Sequence, residues 1–116
     1  MRNHCMSEVE TGNHIGGRWS TPADTLPVVN PANGDTLATV PRSGRETAGA
    51  AVGAAKAAAY AWAATPVFER AAMCMAIAAE IDAAREALAH TLSCEQGKVL
   101  AEARGEGVKA ADGFRL

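Results

Sequence analysis

Glu95-Gln96-Gly97-Lys98-Val99-Leu100-Ala101-Glu102-Ala103-Arg104-Gly105-Glu106 is the stretch whose reading decides the fold. Gly97 is a helix stop, because glycine enters the left-handed conformation that closes a helix without a Cβ penalty. Val99 restarts a helix that runs to at least Lys109, with glycines at 105, 107 and 113. The stretch is therefore a corner between two helices.

N-terminal to that corner, Met73, Ile77, Ile81, Ala84, Leu88 and Leu92 recur at spacings of three and four, the stripe of an amphipathic helix. It fits one long helix or two with a bend near Asp82. Thr65-Pro66 reads as its start, with threonine at the N-cap and proline at the first helical position. An earlier helix runs from Ser43 to about Trp62, with Ser43 and Glu46 spaced as a capping box. Val52, Ala55 and Ala59 line one of its faces, and Gly49, Gly53 and Ala57 another.

The first third is different. His14-Ile15-Gly16-Gly17-Arg18-Trp19 reads as a short strand with a glycine turn or bulge. Leu26 to Val29 and Thr36 to Val40 are strands separated by Asn30-Pro31 and by Ala32-Asn33-Gly34-Asp35, whose Asn-Gly supplies positive φ. The predicted architecture is mainly α-helical with a small N-terminal antiparallel β-sheet. Its expected division is a flexible tail at 1–13, short strands at 14–42 and helices at 43–116.

Composition bounds the function. The chain has 116 residues, 48% of them hydrophobic, yet only 4% are aromatic and much of the apolar content is alanine. Alanine adds little area to a core at roughly 25 cal/mol per Å², and a small domain is already marginal. Such a chain needs something else to pack against, and it reads as ending inside a helix, as a fragment would. Net charge is −2 and no basic block exists, which excludes a nucleic-acid surface. No apolar run is fit to span a membrane, and residues 1–11 carry no secretory h-region. Cys5, Cys74 and Cys94 are odd in number and lack CxxC spacing, which argues against a disulfide framework or a zinc site and for a reducing, cytoplasmic setting.

No residue set carries chemistry alone. Gln96-Gly97-Lys98 lacks the first glycine of a phosphate loop, and Val99 stands where a hydroxyl would hold magnesium. No GxGxxG follows a strand. Cys94 sits at a helix C-terminus, where the dipole disfavours a thiolate. Cys74 lies beside the apolar stripe. His90 is one turn from Glu86 and Cys94, and reads as a surface histidine beside a carboxylate. His4 and His14 are isolated. Glu102 and Glu106 alternate with Lys98 and Lys109 as on a solvated helix face.

Three runs taken in order resemble the N-terminal part of the aldehyde dehydrogenase superfamily. They are His14 to Trp19, Val29 to Val40, and Glu95-Gln96-Gly97-Lys98 with Leu100 to Ala103 and Gly105-Glu106. Ala61-Trp62, Glu69-Arg70 and the long amphipathic stretch fall between them. The Asn-Pro-Ala-Asn-Gly run looks most like betaine-aldehyde dehydrogenases, the Glu-Gln-Gly-Lys run equally like semialdehyde dehydrogenases. The resemblance implies oxidation of an aldehyde to an acid with NAD or NADP, in a homo-oligomeric enzyme of α/β fold. It places the nucleophile, the base and the main dinucleotide contacts beyond position 116, so no catalytic or cofactor-binding residue is carried over. The implied partner is the remainder of the aldehyde dehydrogenase fold. One site carries over by position: a monovalent cation, potassium or sodium, with Val28, Val29 and Glu95 as ligand positions. Gly107 departs from the aliphatic residue usual there, and Gly113 further weakens the last helix. The competing reading is a stand-alone helical interaction module, for which the hairpin region has no use.

Overall fold

A computed structural model of the chain describes residues 11–116. Most of the expected tail, with His4 and Cys5, therefore lies outside the described residues. Element order is β1 (Asn13–Ile15), β2 (Arg18–Ser20), β3 (Thr25–Val29), β4 (Thr36–Pro41), α1 (Arg45–Ala64), α2 (Val67–Ala83), α3 (Arg85–Gln96) and α4 (Leu100–Arg115).

The strands form two separate two-stranded antiparallel ladders, β1–β2 and β3–β4. Gly16 and Gly17 both have positive φ, at 58° and 77°, so two glycines reverse the chain between β1 and β2. The N-terminal strands are antiparallel as expected, but divided between two sheets. In the second hairpin Asn30 Oδ1 accepts from the Ala32 N–H at 2.9 Å, and Asn33 Oδ1 accepts from the Asp35 N–H at 3.0 Å. The register shifts between Val28 and Val29, which oppose Ala38 and Thr36. That bulge interrupts the ladder at the strand end.

Two helix starts differ from expectation. Ser43 does not cap α1: the N-cap is Gly44, without a side-chain hydrogen bond. The Ser43 hydroxyl instead accepts from Asn13 Nδ2 at 2.7 Å, tying β1 to the head of α1. Thr65 closes α1 rather than opening α2. Its Oγ1 donates back to the Ala61 carbonyl at 3.0 Å, and Pro66 becomes the N-cap of α2. Arg70 reaches across this corner and donates from Nη1 to the Trp62 and Ala63 carbonyls at 3.4 and 3.3 Å. A cation on the last carbonyls of a helix is favoured by its dipole.

The long stripe resolves into two helices. The break is at Ala84 (φ −88°, ψ 1°), two residues past Asp82. Backbone bonds continue on both sides, with the Ala84 N–H on the Glu80 carbonyl and the Leu88 N–H on the Ala84 carbonyl, so the break is a one-residue kink. α4 runs through all three of its glycines. At Gly107 a Cβ would stand 3.3 Å from Cγ of Arg85, so a side chain there would crowd the start of α3.

The core is four alanines: Ala78 on α2, Ala89 on α3, and Ala103 and Ala111 on α4. The predicted stripe of larger residues is not the core. Met73, Ile77 and Leu88 are 49%, 43% and 44% exposed, because the helices meet along alanines and leave the bulkier chains at the flanks. Ion pairs stitch the rim: Arg104 with Glu86, Arg115 with Asp82 and Asp112, and Lys98 with Glu106. Exposed pairs contribute at most about 1 kcal/mol each. α1 buries no residue at all. Tyr60 and Phe68 are 87% and 85% exposed. The chain shows 8613 Å² of surface, where a compact monomer of 11.9 kDa shows about 5,900 Å². Among the described residues, no helix is long and apolar enough to cross a membrane.

Candidate functional site

The corner that the sequence singled out is a closed joint. α3 ends at Gln96, and Gly97 takes the left-handed conformation (φ 71°, ψ 18°) with its N–H on the Ser93 carbonyl at 2.9 Å. Ser93 Oγ donates to the Lys98 carbonyl at 2.6 Å, which holds the exit of the turn. Val99 then caps α4, its carbonyl accepting from the Glu102 and Ala103 N–H groups at 3.0 and 3.1 Å. The Lys98 ammonium pairs with Glu106, two turns into α4.

This joint lies against the β3–β4 hairpin. A Cβ at Gly97 would stand 3.0 Å from Cγ of Pro31. Pro31 follows β3, which carries Val28 and Val29, and Gly97 follows the last turn of α3, which carries Glu95. The structure thus brings together the two segments that hold the three predicted ligand positions. Glu95 itself lines an open, largely apolar groove between α3 and α4, with Leu88, Leu92, Ala103, Glu106 and Gly107. A cation at the strand end would therefore use backbone oxygens: those of Val28 and Val29 beside the bulge, and the last carbonyls of α3. Uncharged carbonyls suit a hard, singly charged ion. No group of three or more His, Cys, Asp or Glu side chains able to hold a metal occurs among the described residues.

The dinucleotide of the resembled family does not fit these residues. Both described sheets are antiparallel hairpins, and none of the described strands belongs to a parallel βαβ unit of the kind that cradles a pyrophosphate.

The other candidates are accounted for by their surroundings. Cys94, at the end of α3, is disulfide-bonded, which corrects the expectation of no disulfide. An odd count of cysteines does not preclude one pair. Cys74 is the free cysteine among the described residues and is half-buried rather than fully enclosed. Glu86, one turn from His90, is held by Arg104 with three hydrogen bonds of 2.9 to 3.1 Å. That pairing keeps the Glu86 carboxyl below its ordinary pKa and raises the Arg104 guanidinium. Glu106 is engaged by Lys98. Sequence reading missed Ser93 and Pro31 as parts of the joint. The Ser93 hydroxyl, one turn before the Gly97 stop, was the available signal; Pro31 had none, since its contact is distant in sequence.

The aldehyde dehydrogenase family profile matches residues 19–116. Malonate-semialdehyde dehydrogenase 1 of Bacillus licheniformis is 42% identical over 96 residues, which is 81% of this chain and 20% of that protein. The 3,6-anhydro-alpha-L-galactose dehydrogenase of Streptomyces coelicolor is 46% identical over 82 residues, 71% of this chain and 17% of that one. Betaine aldehyde dehydrogenase from Staphylococcus aureus, solved in complex with NAD+, superposes with a TM-score of 0.89 at 28% identity, covering 95% of this chain and 23% of that one. The chain thus spans about a fifth of the length of the relatives it matches. The profile covers the β3–β4 hairpin, the Gly97 joint and all four helices, and the chain belongs to the aldehyde dehydrogenase family.

Proposed function

We propose that the chain is the N-terminal portion of an NAD(P)-dependent enzyme that oxidises an aldehyde to a carboxylic acid, and that it is inactive alone. In this reading, residues 43–116 supply helices to the N-terminal part of an NAD(P)-binding domain in a cytoplasmic homo-oligomer. The observation that carries it is the superposition of nearly the whole chain on an NAD+-bound aldehyde dehydrogenase more than four times its covered length. The four-alanine core and the bare flanks of α1 and α2 support it, because they leave apolar surface for the remainder of the fold to cover.

The test is a chimera. The matching segment of the Bacillus licheniformis enzyme is replaced by this chain, and aldehyde-dependent NADH and NADPH formation is followed with malonate semialdehyde and betaine aldehyde. Turnover by the chimera, with none by the 116-residue chain alone, is expected. A folded chimera without turnover, or a chain active by itself, would overturn the reading.

The same reading includes potassium or sodium at Val28, Val29 and Glu95. Its support is the close approach of Gly97, two residues past Glu95, to Pro31, two residues past Val29, and the bulge between Val28 and Val29.

A further inference from the structure

The partner of Cys94 follows from the cysteine count. The chain has three cysteines, at positions 5, 74 and 94. Cys94 is disulfide-bonded, and Cys74 is a free thiol. Within one chain that leaves Cys5, which lies outside the described residues. A bond between them closes residues 5–94 into one covalent loop. Both hairpins, α1 and α2 lie inside it, and so does α3 up to its last turn. Of the described elements, α4 alone lies wholly outside it, beyond the Gly97 joint.

The anchor adjoins the joint. Cys94 follows Ser93, whose carbonyl accepts from the Gly97 N–H at 2.9 Å and whose hydroxyl donates to the Lys98 carbonyl at 2.6 Å. A covalent hold on this turn fixes the end of α3 from outside, where a core of four alanines holds it only weakly from inside. Closing so long a loop removes freedom chiefly from the unfolded chain. Cys94 is half-buried rather than enclosed, so the pair is open to a solvent thiol. With a dithiol the exchange balances. Its first thiolate attacks one sulfur of the pair and expels the other as a thiolate; its second thiolate then attacks the mixed disulfide and releases the remaining cysteine. The dithiol gives up two electrons and becomes a disulfide, and both cysteines end as thiols after protonation. A small-molecule disulfide re-forms the pair by the reverse exchange. We infer that Cys5 and Cys94 form a redox-set tether, which when oxidised fastens the start of the chain to the end of α3 and when reduced lets it go.

The experiment is a peptide map of the 116-residue chain, purified without reductant, its free thiols blocked with iodoacetamide and the chain cut with trypsin. Residues 3–18 should emerge joined to residues 86–98, with Cys74 alkylated in residues 71–85. Dithiothreitol should separate the joined pair, and the uncut chain should run as a monomer on a non-reducing gel. In glutathione buffers the joined peptide should form with the oxidised compound in excess and vanish with the reduced compound in excess. Thermal unfolding gives an independent readout. Dithiothreitol should lower the midpoint of the wild-type chain and of Cys74→Ser by about 10 °C, and should leave that of Cys5→Ser unchanged. Cys94 alkylated in the unreduced chain, a link from Cys94 to Cys74 or to a second copy, a wild-type midpoint indifferent to dithiothreitol, or a link that survives excess reduced glutathione would each overturn the inference. None of these readouts involves aldehyde turnover, so their failure is distinct from failure of the chimera.

Discussion

Gly97 closely approaches Pro31: a Cβ on the glycine would stand 3.0 Å from the ring Cγ, tighter than ordinary van der Waals contact, and the glycine φ is 71°. Two constraints of different origin therefore fall on one residue. Gly97→Ala should destabilise the chain by about 1–2 kcal/mol from the left-handed backbone alone, with the ring contact added to it. Urea unfolding of Gly97→Ala, Pro31→Ala and the double variant separates the two. The double variant should be more stable than the summed single effects predict. Strict additivity would show that the hairpin and the joint are energetically independent.

The other helical glycines should behave in the opposite way. Nothing lies within 4 Å of a Cβ at Gly105 or Gly113. Alanine at either should raise stability by about 0.5–1 kcal/mol through helix propensity. At Gly107 the same change meets Arg85 Cγ at 3.3 Å, and the gain should shrink or vanish. Equal gains at all three positions in thermal unfolding would contradict the close approach of α4 to Arg85.

Acid should loosen α4 from α3. The Glu86 pKa is lowered in the folded chain, chiefly by its hydrogen bonds to Arg104. The stabilisation is therefore present above the unfolded-state value and lost as pH falls through the folded one. Stability measured from neutral pH downward should decline across the carboxylate range, and Glu86→Gln should flatten part of that slope. An unchanged slope in Glu86→Gln would remove the pair from the account.

Exchange of the monovalent cation tests the strand-end site. At equal ionic strength, potassium or sodium should raise the thermal midpoint relative to tetramethylammonium, which is too large for a cluster of carbonyls. Glu95 lines the α3–α4 groove, so Glu95→Gln, which keeps the backbone oxygen, should keep the effect. Identical midpoints in all three salts would eliminate the site.

Much of this fold was legible because its punctuation is local. Gly97, the Gly16-Gly17 turn and the Asn-Gly turn each declare themselves through a backbone that other residues disfavour. The kink at Ala84 did not, since alanine is the best helix former and backbone hydrogen bonds reach Ala84 from both sides. The core was misread for a related reason. Sequence patterning weights Met73, Ile77 and Leu88 by size, whereas the helices close on Ala78, Ala89, Ala103 and Ala111, whose identity says nothing about direction. Ser43 and Thr65 are cap residues by type, and each found a better partner across the chain or one turn back. At the candidate site, Val28, Val29 and Glu95 came from family resemblance. The contact that joins their segments spans 66 residues between Pro31 and Gly97, a distance at which a single sequence carries no signal.

The alanine core has a geometric consequence. Where helices touch through methyl groups, the spacing of their axes is set almost by the backbones themselves. Such a seam has no rotamers to readjust and no slack to absorb a larger residue. The α2–α4 plate is thus a fixed gauge: substitutions on its outer faces leave its thickness unchanged. Widening any of Ala78, Ala89, Ala103 or Ala111 would instead lever α4 outward and carry the Gly97 joint off the Pro31 ring.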